Sequence, residues 1–116
     1  MTNIKINEVT DVTQAEFFEI MDAWAEREAE IARTAAAAGD ERERSIALMK
    51  ESMYRTMLRT IAVKAPARLK TTAEEMAARA EKFTAAGDID AADRCIIQKG
   101  CIERVMKLMA DNGGIA

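Results

Sequence analysis

Ala37-Ala38-Gly39-Asp40 and Ala85-Ala86-Gly87-Asp88 are the same four-residue phrase, written twice at a spacing of 48 residues. In each copy the Gly can adopt the left-handed conformation that ends a helix, and the Asp can accept from the free N–H groups that open the next one. Each phrase is therefore the tip of a helical hairpin.

Upstream of the first tip, Thr13-Gln14-Ala15-Glu16 has the capping-box form, which predicts a helix from about Gln14 to Ala38. Phe18, Met21, Ala25, Ala29, Ala32 and Ala36 supply its apolar face. Past the tip, Asp40-Glu41-Arg42-Glu43 opens a second helix ending at Lys64, with Ile46, Met49, Met53, Met57 and Ile61 as its stripe and Tyr54 and Leu58 beside it. Pro66 disfavours helix at Ala65 and divides the chain into halves. Overlapping boxes in Thr71-Thr72-Ala73-Glu74-Glu75 open a third helix that carries Ala73, Met76, Ala80 and Phe83 to the second tip. A fourth, from Ile89 to Ala110, is apolar over more than half its circumference, and Asp111-Asn112-Gly113-Gly114 closes it.

The fold expected is all-α: two tandem antiparallel helical hairpins forming a four-helix bundle-like domain. Residues 1–12 form a short N-terminal arm, extended or disordered, because residues 3–9 alternate apolar and polar. Residues 13–116 form one domain, made of a hairpin (13–64), a Pro-containing connection (65–71), a second hairpin (72–110) and a tail (111–116). With the tips as pivots, Trp24 faces Tyr54 and Glu19 approaches Arg59; in the second half Glu81 meets Arg94 and Lys82 meets Asp93. The shift of 48 also superimposes Ala25-Glu26 on Ala73-Glu74, Ala29 on Ala77 and Ala32 on Ala80. This period exceeds the roughly 34 residues of tetratricopeptide repeats, whose Trp and Leu-Gly signature is missing too.

At 116 residues and 4% aromatic content, with eight Met, the chain has one core built from small and flexible side chains. Its formal charge of −3 is unevenly spread: residues 1–44 hold 11 acids and 5 bases, residues 45–70 hold 6 bases and 1 acid. No apolar run approaches the roughly 20 residues of a membrane span, and no signal-peptide pattern opens the chain, so the expected location is cytoplasmic.

Chemistry is constrained by what is missing. There is no His, no Cys-x-x-Cys and no Gly-rich phosphate loop, so no cofactor or metal is expected. The carboxylate centre that holds Mg²⁺ in all-α nucleotide pyrophosphohydrolases draws Glu-x-x-Glu from one helix and Glu-x-x-Asp from a later one, whereas here Glu16, Glu19 and Asp22 share one helix and the resemblance stops there. Cys95 and Cys101 lie about 120° apart around their helix axis, too far around to pair within it. The basic segment 50–70 offers Arg55, Arg59, Lys64, Arg68 and Lys70 as partner-binding residues. Ile97, Cys101, Val105 and Leu108 form an apolar strip on the fourth helix, the expected interface of a homodimer. The function expected is non-enzymatic: a small helical protein that binds another protein through its helix surfaces, as an adaptor, inhibitor or assembly component. The alternative is an accessory protein that binds nucleic acid through residues 50–70.

Overall fold

The computed structural model describes residues 2–111, with side chains from Gln14 onward. Helix α1 is Thr2–Ala38. Helix α2, residues 41–64, is α-helical over Glu41–Ser52 and Leu58–Lys64, with a π-helical turn at Met53–Met57 between them. Helices α3 and α4 are Ala67–Ala85 and Ile89–Asp111. The two tightly packed pairs are α1 with α2 and α3 with α4, the two hairpins expected.

Both tips are built alike. At the first, Gly39 has φ +76°, its N–H donates to the Ala36 carbonyl (3.1 Å), and Asp40 N–H donates to the Ala35 carbonyl (2.9 Å). At the second, Gly87 has φ +81° and the same two bonds run to Thr84 (3.1 Å) and Phe83 (2.9 Å). The Asp side chains then cap the following helices, Asp40 Oδ1 accepting from Glu43 N–H at 3.0 Å and Asp88 Oδ1 from Ala91 N–H at 3.2 Å. A Cβ at either glycine would meet nothing, so the cost of Gly→Ala there is the left-handed backbone alone, about 1–2 kcal/mol. Gly100 is helical and equally open, so Gly100→Ala should instead stabilise by about 0.4–1 kcal/mol. Urea denaturation of the three variants checks both signs.

Two helix starts differ from expectation. The backbone is helical from Thr2, so residues 2–12 form no extended arm and Thr13 lies inside α1. With no Gly or Pro in that stretch, extending an existing helix avoids the cost of nucleation and overrides the alternation. Likewise α3 starts at Ala67, because Pro66 suits a helix start; Thr72 sits within the helix, its hydroxyl donating to the Arg68 carbonyl at 2.7 Å. The connection between hairpins is thus Ala65 and Pro66 alone. The tail after Asp111 lies outside the described residues.

The hairpins join along α2 and α4, which lie side by side and run the same way. Arg42 bonds Asp90 (3.0 Å) and Asp93 (3.4 Å), Arg94 donates to the Ser45 hydroxyl (3.0 Å), and Gln98 donates to the Met49 sulfur (3.4 Å). These partners are 48 to 51 residues apart, so Arg42, Ser45 and Met49 of α2 each meet, within a turn, their own repeat equivalents on α4. Burial follows the same shift: Met21 and Leu69, Ala25 and Ala73, Ala32 and Ala80, Ala47 and Cys95, Met53 and Cys101, and Tyr54 and Ile102 are all buried. The helices are ordered α1, α2, α4, α3 across a flat body of 57 × 34 × 18 Å, with α3 also touching the end of α2. One core serves both hairpins, from Phe17 and Met21 through Tyr54 and Leu58 to Ile102 and Val105.

The π-turn decides which side chains of α2 enter that core. Leu58 N–H bonds back five residues to the Met53 carbonyl, so one extra residue is accommodated and the stripe shifts by one position. Met53, Tyr54, Leu58 and Ala62 point inward, whereas Met57, expected on the stripe, is exposed.

Candidate functional site

The bases of segment 50–70 do not form one patch. Arg55 bonds Glu51 (3.0 Å) and Glu26 (3.1 Å), and its guanidinium is held above its ordinary range chiefly by the Glu51 bond. Arg59 bonds Asp22, one turn from the expected Glu19, and lies over the Phe18 ring at 5.0 Å. Its Nε is buried without a hydrogen-bond acceptor. Both arginines are therefore tied to acids of α1. Lys64, Arg68 and Lys70 are exposed around Pro66, and no ion pair ties them to a carboxylate among the described residues.

In the second hairpin Arg94 and Asp93 turn away from the expected Glu81 and Lys82. Arg94 reaches Asp90 (2.9 Å) and Ser45, and Asp93 takes Arg42, so both work across the α2–α4 seam. Arg94, and then Arg42, hold the Asp90 carboxyl below the usual carboxylate range.

The strip expected at a dimer interface is mostly inside one chain. Cys101 and Val105 are buried, Val105 completely, while Ile97 and Leu108 are half-buried. Helix α2 occupies the place assigned to a second copy. Cys101 and Val105 pack in the core of the single chain, with Tyr54 and Leu58 of α2.

Where α1, α2 and α4 converge, the core holds polar groups that periodicity did not reveal. Glu28 is buried and pairs with Lys50 at 3.2 Å. The Tyr54 and Trp24 rings meet edge-on at 5.3 Å, as the hairpin register predicts. Arg104 of α4 lies 3.7 Å over Trp24 and 5.9 Å from Tyr54. Burial, with a smaller contribution from Cys101, pushes the Tyr54 phenol up to about 12. Burial likewise raises the Cys101 thiol, which disfavours the reactive thiolate. Among the described residues no three Cys, Asp or Glu side chains converge as metal donors.

The Tyr54 environment carries a pH signature. The phenol must stay neutral in the fold, so its contribution is intact below about pH 10, where an unfolded tyrosine titrates. It declines as pH climbs from there towards about 12, because only the unfolded chain sheds the proton in that window. Urea unfolding across that window should show a steeper loss for wild type than for Tyr54→Phe; equal slopes would refute the assignment.

Two shallow grooves open on the outside of the hairpins. The first, about 280 Å³, has a floor of Ala29, Ala32 and Ala36, with Leu48 standing beside it and Arg33, Arg44 and Glu51 around it. The second, about 490 Å³, has Ala77, Ala80, Thr84 and Ala85 as floor, Ile96 beside it, and Glu81 and Lys99 around it. Adding 48 to Ala29, Ala32, Leu48 and Glu51 gives Ala77, Ala80, Ile96 and Lys99, so the two are repeat equivalents. Leu48 is 39% and Ile96 56% exposed, large values for aliphatic side chains. The signal for these grooves was present in the sequence as the coincidence of Leu48 with Ile96 under the shift.

No protein-family model, curated protein or solved structure matches the chain.

Proposed function

We propose that this is a non-enzymatic assembly component that binds protein through its helix surfaces, with the Ile96 groove as the principal docking surface. The observation that carries this reading is an open apolar groove of about 490 Å³ with an exposed Ile at its edge. An aliphatic side chain from a partner helix would fill it, and burying such a side chain contributes about 1.5–3 kcal/mol. The Ala floor brings a partner backbone close, and Glu81 and Lys99 give polar orientation at the rim. No helix among the described residues is long and apolar enough to cross a membrane. Two buried free thiols suit a reducing compartment, and we assign the protein to the cytosol on that basis.

Installing the photo-crosslinker p-benzoylphenylalanine at Ile96 tests the reading. It should yield a defined protein adduct, and the same group at exposed Lys107, outside the groove, should not. Equal labelling from both positions, or none from either, would overturn it.

The second reading, binding of nucleic acid, rests on Lys64, Arg68 and Lys70, since Arg55 and Arg59 already hold acids. A gel shift that weakens steeply with salt and with Arg68→Ala would favour it over the groove.

A further inference from the structure

Resting on the reading of the grooves as docking surfaces, we infer that their occupant is a second copy of this chain, with the Leu48 groove of one copy seated on the Ile96 groove of another. Each groove has an Ala floor and one exposed aliphatic side chain at its edge, so each offers both a hole and a knob. Leu48 of one copy can enter the Ile96 groove while Ile96 enters the Leu48 groove.

The charges suit this pairing. Arg33 on α1 corresponds to Glu81 on α3, and Glu51 on α2 corresponds to Lys99 on α4, so the signs are reversed at both equivalent rim positions. Stacking α1 over the other copy's α3 and α2 over its α4 sets Arg33 against Glu81 and Glu51 against Lys99. Stacking two Leu48 grooves helix on corresponding helix instead opposes Arg33 to Arg33 and Glu51 to Glu51. Within one chain three of these charges make only local, exposed or half-exposed pairs, Arg33 with Glu26 (3.4 Å), Glu51 with Arg55 (3.0 Å) and Lys99 with Glu103 (3.6 Å). Such pairs are worth little and can be exchanged for contacts to another copy. Because one chain carries both unlike halves, the contact is heterologous and propagates from copy to copy. It uses neither Cys101 nor Val105, which the single chain already buries.

Sedimentation velocity of the full chain at high micromolar concentration and low salt tests this, together with crosslink mapping from Leu48→p-benzoylphenylalanine. The wild-type protein should sediment above the mass of one chain, Arg33→Glu should weaken association about tenfold, and Arg33→Glu/Glu81→Arg should restore it. Crosslinks from position 48 should map to residues 77–99 of another copy. A single-chain mass throughout, crosslinks from position 48 to the 29–51 groove, or no recovery in the double variant would each overturn the inference. A single-chain mass with an Ile96 adduct to a different protein overturns the self-pairing and upholds the groove as a docking surface. No adduct from either groove overturns both.

Discussion

Val105→Asp should leave no cooperatively folded protein. Val105 is 0% exposed in a core shared by both hairpins, among Leu58, Ile102 and Met109. Arg104, its neighbour in the chain, is already engaged with the Trp24 and Tyr54 rings. A carboxylate without a partner at such a site costs several kcal/mol, against the roughly 5–15 kcal/mol that holds a domain together. Ile97→Asp should be far milder, since Ile97 is half-buried. Circular dichroism melts distinguish the two: a cooperative transition near the wild-type midpoint for Val105→Asp would show that this residue faces a subunit boundary after all.

Tyr54→Ala should cost about 3–5 kcal/mol, at the high end for a buried truncation. Tyr54 enters the core from the π-turn, where the surrounding backbone carries a non-α hydrogen-bond pattern and is poorly placed to close over a cavity. The substitution also removes the ring against which Trp24 packs and the phenol beside Cys101. Trp24 emission should move to longer wavelength as solvent reaches the indole. Tyr54→Phe keeps the ring and should cost about 1 kcal/mol, the net worth of one hydrogen bond. Unchanged emission in the alanine variant would refute the Trp24–Tyr54 packing.

The legible part of the fold was its punctuation. Two Gly-Asp tips and one Pro set the hairpins and the register, because left-handed glycine, an Asp cap and a missing N–H are local properties of single residues. The capping boxes at Thr13 and Thr71 misled, since a box signals a helix start only where the backbone before it leaves the helix. The π-turn was hidden for a related reason: its five residues, Met53 to Met57, carry no breaker, and only packing reveals that Tyr54 and Leu58 displaced Met57. The apolar breadth of α4 pointed to a helix at an interface between subunits, and part of it, Cys101, Ile102, Val105 and Met109, packs in the chain's own core. Sequence spacing cannot tell a neighbour within the chain from one outside it. The grooves were missed because Ala and an isolated Leu or Ile look like ordinary helix composition until the repeat shift aligns them.

The seam between α2 and α4, in which residues meet their own equivalents 48 positions on, has the contact pattern of a two-fold pair of hairpins. In separate hairpins that pairing would obey mass action and fall apart on dilution. Here a connection of only Ala65 and Pro66 makes it intramolecular, with a short tether setting a high effective concentration for one hairpin around the other. Formation of the seam within one chain is therefore independent of how dilute the protein is, and its strength can be tuned by lengthening that tether.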